Sequence, residues 1–599
     1  MGNRVCMGNE AIALGAINAG VRIVAGYPGT PSTEIIETVV REKNPNVNVQ
    51  WSTNEKVALE VAAGAAYAGA RAMVTMKQVG LNVASDPLMS LAYIGVNGGL
   101  VLAVADDPGP WSSQTEQDTR GFAKNANLPV FDPSSPEEAY EMVGEAFDLS
   151  ELFQLPVFVR PTTRVCHASA TVKIGDAPKT LPPVSGFERK PEWCIFPALS
   201  YRKHGEIERK QYELSEKFSS SKFNKIEGSG RRGVAVSGIS YLYAKEVIDE
   251  YKLGVTLYKV GTPYPMPEKK TEEFLRKVDS VLVIEELDPI VEEAILLQAA
   301  GRMPVFGKRT GHTPCNGEFS YEIVKQVLFD YLEIDNVQPV LPEIPQLPVR
   351  PPVLCAGCPH RASFYAAKVA MKDEKKPIYC GDIGCYTLGN AAPLHTTDTC
   401  LCMGAGITVA QGLQLAEPGT KCLAFIGDST FFASGITGVI NAVYQNIDIT
   451  IIVLDNHTTA MTGHQPHPGT GVTAMGVQTK ALDIEKILNA CGVEKIYSVN
   501  PFDFDATVKA IKKAADFKGP SAVITKAPCI FKMEKSARTH RVDAKKCIGC
   551  LKCINEIGCP AMTPEDGKVV INESLCTDCA LCAKVCPVGA IKEAARNEK

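Results

Sequence analysis

CLAFIGDS at residues 422–429 and ITIIVLDN at 449–456 are short, unbroken apolar runs, each ending in polar residues. Runs with no polar alternation fit strands buried on both faces of a parallel sheet. A helix-length stretch separates them, so the segment reads as strand, helix, strand and the chain as α/β. Asp428 and Asn456 lie 28 positions apart, each at the C-terminal end of its strand, where such sheets bind ligands. A carboxylate, an amide oxygen and a nearby main-chain carbonyl suit an octahedral hard cation that also grips phosphate oxygens. Gly427 lets backbone approach a diphosphate, and the N-terminus of the helix that follows, beginning near Ser429, favours its negative charge. Gly-Asp and Asp-Asn pairs also mark ordinary turns, so these two strands alone leave both readings open.

Working outward, residues 353–535 form the α/β domain that contains this segment. Residues 1–170 alternate helical patterns with apolar strands near 71–76, 100–105 and 157–160, a second parallel α/β domain. Residues 171–230 are charged and irregular and predict a solvated helix and linker. The alternation resumes over 231–335 in a compact α/β unit. QPVLPEIPQLPVRPP predicts a stiff extended linker over 336–352, because closely spaced prolines favour polyproline geometry. A basic stretch over 532–546 reads as a polar hinge before a cysteine-rich tail, 540–599, which is expected to have its own core.

Of 21 cysteines, eight fall between Cys547 and Cys586 and six between Cys355 and Cys402. Without a secretion signal, such clustering points to metal or redox work and away from disulfides. The tail runs are Cys547-x2-Cys550-x2-Cys553-x5-Cys559-Pro and Cys576-x2-Cys579-x2-Cys582-x3-Cys586-Pro. Two-residue gaps let three thiolates converge on one cubane, while the fourth cysteine of each run ligates the other cluster. One [4Fe–4S] cluster therefore takes Cys547, Cys550, Cys553 and Cys586; the second takes Cys576, Cys579, Cys582 and Cys559. CxxC pairs also bind zinc, but paired triple-cysteine runs each closed by Cys-Pro favour iron–sulfur ligation. The gap before Cys559 is two residues longer than the second run's and predicts a longer loop.

The formal charge of −5 and the lack of a long basic block argue against nucleic acid as a partner. The N-terminus has no basic leader and apolar core, and Met7 stands where a myristoylation signal needs Ser or Thr. Residues 87–105 are charge-poor but broken by Asn97, Gly98 and Gly99, so they read as a buried helix end and strand. No membrane association is expected, and the cytoplasm is the expected location.

The strand-end pair resembles the thiamine diphosphate motif GDG-x(~25–30)-NN, with Ser429 for its second Gly and Asp455 for its first Asn. GYPGTPSTEI at 26–35 is similar to the YPxTPSS segment of 2-oxoacid:ferredoxin oxidoreductases. Cys355-Ala-Gly-Cys358-Pro-His360-Arg361, CMGAGITVAQG at 402–412 and DNHTTAMTGHQPHPGTG at 455–471 extend the likeness across the chain. Together with the fused tail, the sequence resembles the alpha-subunit family of indolepyruvate:ferredoxin oxidoreductases.

That resemblance implies thiamine diphosphate with Mg²⁺ bound by Asp428, Asn456 and the Thr458 carbonyl. Gly427, Ser429, Met403, Gly404, Gly463 and His360 would line the cofactor, with Met403 bending it and the glycines, Gly406 included, allowing close approach. Glu55 would be the acid at the cofactor's pyrimidine; it is preferred to Glu60 because Gly69-Ala70 stand at the family's offset from it. Thr30 would bind the substrate carboxylate, and His464 is named for acid–base help, with His467 beside it. Cys355, Cys358, Cys385 and Cys529 would hold a third cluster near the cofactor. The implied reaction converts an aryl 2-oxoacid and CoA to an arylacetyl-CoA and CO2, with ferredoxin as electron acceptor. A smaller beta subunit in an alpha2beta2 heterotetramer is implied as well. The alternatives are a branched-chain 2-oxoacid substrate, or a non-catalytic electron-transfer subunit that would not need Glu55, Asp428 and Asn456 together.

Overall fold

The computed structural model describes residues 2–175, 181–335, 345–348 and 350–596. The chain divides into two compact units, Met1–Pro342 and Glu343–Lys599. The proline-rich linker expected over 336–352 falls mainly outside the described residues. Among the described residues no helix is long and apolar enough to cross a membrane.

The first unit contains a two-stranded ribbon and two larger sheets. One is six-stranded and wholly parallel, in the order Asn48–Trp51, Ile23–Gly26, Ala72–Lys77, Leu100–Ala105, Val157–Val159, Val130–Phe131. Leu100–Ala105 lies near its centre and is buried at every position, which is why its sequence is apolar without alternation. The second sheet runs Val305–Phe306, Ser280–Ile284, Arg232–Val236, Val255–Lys259, Lys225–Gly228, only the last strand being antiparallel. Buried charge links these two sheet domains. Arg120 meets Asp118 at 2.6 Å and Glu285 at 2.8 Å, and Arg160 meets Asp106 at 2.7 Å. Removing one partner would leave a buried charge uncompensated, at a cost of about 3–5 kcal/mol.

The region expected to be a solvated linker is more ordered than its charge suggests. Ser169–Ile174 pairs antiparallel with Gly2–Met7, and Pro197–Ser219 is one long helix that buries Ile207, Leu214 and Phe218. Those residues form an apolar stripe among charges, and Leu214 and Phe218 join the first domain's core.

The second unit is built on a five-stranded parallel sheet ordered Ile378–Cys380, Cys422–Gly427, Thr450–Asp455, Ser521–Lys526, Lys495–Val499. The two runs that opened the sequence reading are neighbours in it, and all their residues are buried.

The tail is not an appendage on a hinge. Arg538–Val542, inside the stretch read as a hinge, pairs antiparallel with Ile591–Ala595 and so belongs to the ferredoxin-like fold. A hairpin of Met562–Glu565 with Lys568–Ile571 completes its strands. One apolar core runs from Phe364, Ala366 and Phe425 of the sheet domain into Ile557, Met562, Leu581 and Ile591 of the tail. Of the two residues added before Cys559, Ile557 lengthens helix Lys552–Ile557 by one position relative to Leu581–Val585, and Gly558 closes it in the left-handed conformation.

Candidate functional site

The strand Cys422–Gly427 delivers Asp428 at its end, 3% exposed, and the parallel neighbour delivers Asn456, 6% exposed. Asp428 accepts from the backbone N–H of Ser429 at 2.8 Å and of Asn456 at 3.2 Å, and meets His467 Nε2 at 3.1 Å. Burial alone would raise Asp428, but the bond and charge of His467 hold it below the ordinary carboxylate range. Asn456 is oriented at both ends of its amide. Its Nδ2 donates to His360 Nε2 at 3.1 Å, and its Oδ1 accepts from Thr458 N at 3.1 Å. Burial lowers His360 to about 4, against the pull of Asp428, so near pH 7 the ring is neutral and accepts through Nε2. Thr458 is buried and its Oγ1 has no partner. A buried carboxylate, an amide oxygen and an adjacent orphaned hydroxyl are hard oxygen donors and fit a divalent cation carrying phosphate.

The backbone after Asp428 passes through a π turn, Phe431–Gly435, into helix Ile436–Tyr444, an irregularity common at functional sites. Ser429 accepts from Thr459 Oγ1 at 3.0 Å. Gly404 adopts φ 84° and lies so near Ser434 that a Cβ would come within 2.4 Å of its Oγ; Ser434 also donates to the Met403 carbonyl at 3.1 Å. A further carboxylate sits here. Asp382 follows strand Ile378–Cys380, accepts from Gly404 N at 2.7 Å and from Tyr386 at 3.3 Å, and is pushed by burial to about 7. His464 is only partly buried, with an unpartnered Nδ1, its ring centroid 5.4 Å from that of Phe531 at a tilt of 53°. The histidine in contact with Asp428 is His467. Gly463, at φ 124°, is exposed in the same loop.

Beside this site lies the tail's cavity, lined by Cys559, Cys576, Cys579 and Cys582, and by Cys358 and Arg361 from the sheet domain. Cys559 and Cys576 act electrostatically on Cys579, and Cys586 and Cys550 on Cys553, while Cys553 also acts on Cys582. Burial would raise Cys576, but hydrogen bonds from His540 and Thr539 bring it down to about 6, toward the thiolate that ligates iron. Four thiols lining one cavity have the chemistry of cubane ligands. Near Asp428, which acts on Cys529, Cys385 is raised to about 11 by burial and by neighbouring Cys529 and Cys355, and Cys355 also acts on Cys358 and Cys529.

In the first unit, Glu55 opens helix Glu55–Tyr67, whose N-cap Asn54 accepts from Val57 N at 3.0 Å. Glu55 is 7% exposed, and burial raises it to about 7 against the nearby Lys77 ammonium. Glu60, on the same helix, is 46% exposed and paired with Lys56. Lys77 donates to the Ser112 carbonyl at 3.1 Å and its stem lies against Gly29; the Ser112 hydroxyl donates to the Thr30 carbonyl at 3.2 Å. Thr30, Lys77 and Glu55 thus occupy one neighbourhood.

The family model "Thiamine pyrophosphate enzyme, C-terminal TPP binding domain" matches residues 382–525, and "Pyruvate flavodoxin/ferredoxin oxidoreductase, thiamine diP-bdg" matches 14–211. A "4Fe-4S binding domain" model matches 569–592. The chain is 42% identical to the indolepyruvate oxidoreductase subunit IorA of Archaeoglobus fulgidus over 611 aligned residues, covering 99% of this chain and 97% of that one. The chain belongs to the IorA family. IorA of Methanothermobacter marburgensis is 40% identical, covering 98% of this chain and 96% of its own. IorA of Pyrococcus abyssi is 39% identical, at 100% and 98%. A solved 2-oxoglutarate:ferredoxin oxidoreductase from Magnetococcus marinus is a looser likeness, with TM-score 0.46 and 18% identity over 55% of this chain and 65% of that chain.

As an IorA-family chain, it is an α/β thiamine diphosphate enzyme with an iron–sulfur tail. Its fold brings Asp428, Asn456, Thr458, His360 and Ser429 together, and leaves His464 apart from Asp428. Sequence reasoning missed Asp382, Lys77 and Arg361. Asp382 was findable, since Gly381-Asp382 follows a short apolar strand just as Gly427-Asp428 does. Lys77 carries no local signal, and Arg361 stands inside the quoted Cys355–Arg361 stretch with no role read from it.

Proposed function

We propose that this chain is the large, catalytic subunit of an indolepyruvate:ferredoxin oxidoreductase. It would convert an aryl 2-oxoacid and CoA to an arylacetyl-CoA and CO2, passing two electrons to ferredoxin. The observation that carries this reading is the cation site of Asp428 and Asn456 beside a four-thiol cavity in one compact unit.

Bound thiamine diphosphate supplies carbanion chemistry that no side chain offers. Asp428, Asn456 Oδ1 and the Thr458 carbonyl would hold Mg²⁺ on its diphosphate, with His360 fixing the Asn456 amide. Glu55, held near the pH of the cytosol by burial, is suited to hold a proton at the pyrimidine. Thr30 and Lys77 would receive the substrate carboxylate, Lys77 being a half-buried cation whose neighbours are Asp107 and Glu55. Cys355, Cys358, Cys385 and Cys529 would hold a third cluster, and the tail thiols two more, giving electrons a route out. CoA and a smaller beta subunit in an alpha2beta2 assembly complete the proposal.

The test is anaerobic purification with the beta subunit, counting thiamine diphosphate, Mg and Fe per chain, and turnover of indolepyruvate, phenylpyruvate and 2-oxoisovalerate. Aryl substrates should be preferred. Asp428→Ala should lose thiamine diphosphate on desalting, because the cation loses its only anionic protein ligand. Wild-type retention by that variant would overturn the cation assignment; preference for 2-oxoisovalerate would overturn the substrate.

A further inference from the structure

Arg361 follows the cation-site residue His360 directly, at the start of helix Pro359–Ala370, and its side chain turns toward the tail. It is 4% exposed. Nη1 donates to the carbonyls of Ile557 and Gly558 at 2.7 and 2.9 Å, Nη2 donates to the Leu354 carbonyl, and Nε has no partner. Among the described residues no carboxylate pairs with it. Arg120 and Arg160, the other deeply buried arginines named above, are each ringed by carboxylates. A buried cation without a counter-ion is strongly disfavoured. The charged groups that act most strongly on Arg361 are thiols: Cys559, Cys358, Cys579 and Cys355.

The surrounding backbone brings those thiols close. Gly357, at φ 68°, lies so near the second cluster loop that a Cβ would come within 1.6 Å of Thr577 Oγ1, and its N–H reaches Cys559. Arg361, Cys358, Cys559, Cys576, Cys579 and Cys582 line one cavity. A cubane ligated by four thiolates is a net anion and gains a further negative charge when it takes an electron, so a fixed cation favours its reduced state.

We propose that Arg361 is the counter-ion of the iron–sulfur cluster held by Cys559, Cys576, Cys579 and Cys582, raising its reduction potential so that electrons leave the thiamine domain for the tail. This rests on the reading that those thiols hold a cubane. The step moves one electron into the cluster and on to ferredoxin, and no bond is made or broken. Arg361 is a positioning residue: it touches the carbonyls that frame the cluster loop and acts on the cluster through its charge.

The experiment is an anaerobic redox titration, followed by electron paramagnetic resonance, of the enzyme with its beta subunit, with iron counted in each sample. Arg361→Gln should weaken one-electron reduction of this cluster at least tenfold, a shift of 59 mV or more to lower potential. The cluster on Cys547, Cys550, Cys553 and Cys586 should move far less, because none of those thiols lines the cavity that Arg361 lines. Arg361→Lys keeps the charge but cannot reproduce the fork, and should retain the iron and less than a third of the shift. An unchanged potential in a fully loaded Arg361→Gln, or equal shifts in both variants, would overturn the inference. If Arg361→Gln fails to hold iron, Arg361→Lys decides: iron retained at near wild-type potential supports the charge, and iron lost means a packing role only. Wild-type enzyme lacking iron at these thiols would defeat the cluster reading itself, a separate outcome.

Discussion

Glu55 and Glu60 share one helix, yet one is buried and raised to about 7 while the other is solvated and paired with Lys56. Helical periodicity puts them on different faces, but no pattern says which face is covered; Gly80 decides it, since a Cβ there would come within 2.5 Å of Glu55 Oε1. Glu55→Gln should reduce decarboxylation by about 10²–10⁴-fold, as loss of a positioned proton-transfer group does, and Glu60→Gln should leave it nearly unchanged. The reverse result would transfer the role to Glu60. The same carboxyl carries a stability prediction. Its folded pKa lies above the ordinary 4.5, so burial costs nothing below that pH and most above about 7. The cost approaches about 3 kcal/mol at 1.36 kcal/mol per unit. Glu55→Gln should therefore raise the melting temperature more at pH 8 than at pH 5; equal gains at both would show that the carboxyl is not held up by burial.

At the scale of elements, the loop Cys355–Cys358 and the loop Cys576–Cys579 approach each other through Gly357. Gly357→Ala would force the residue into a left-handed conformation at φ 68° and drive a methyl into Thr577. The expected result is loss of iron from the second tail cluster and faster proteolytic release of the tail. Iron content and cleavage rate equal to wild type would mean the two loops separate freely. The CxxC spacings were legible because cluster ligation is local in sequence. The approach of one CxxC loop to another was not, since it depends on how helix Pro359–Ala370 is seated.

For the second unit as a whole, the shared core changes what truncation should do. A polar hinge implies a detachable tail, but Ile557, Met562, Leu581 and Ile591 pack in one core with Phe364 and Phe425. Each large apolar side chain uncovered forfeits about 1.5–3 kcal/mol. Deleting residues 537–599 should remove about eight iron atoms with two cubanes, abolish ferredoxin reduction, and also lower the melting temperature of what remains. A truncated chain as stable as the full one would show that the tail contributes no core.

Sequence by itself determined the α/β class and the strand-end positions of Asp428 and Asn456, and it marked the two cysteine runs of the tail, because each rests on periodicity or spacing within a short segment. Tertiary structure alone decided that His467 and not His464 meets Asp428, that Asp382 and Tyr386 join the site, and that the tail is seated on the sheet domain. It also decided that Arg361 is buried beside thiols and, among the described residues, paired with no carboxylate. These are distant meetings along the chain. They depend on which faces burial covers and on where backbone can pass closely enough for only glycine to fit, and no single stretch of sequence encodes either.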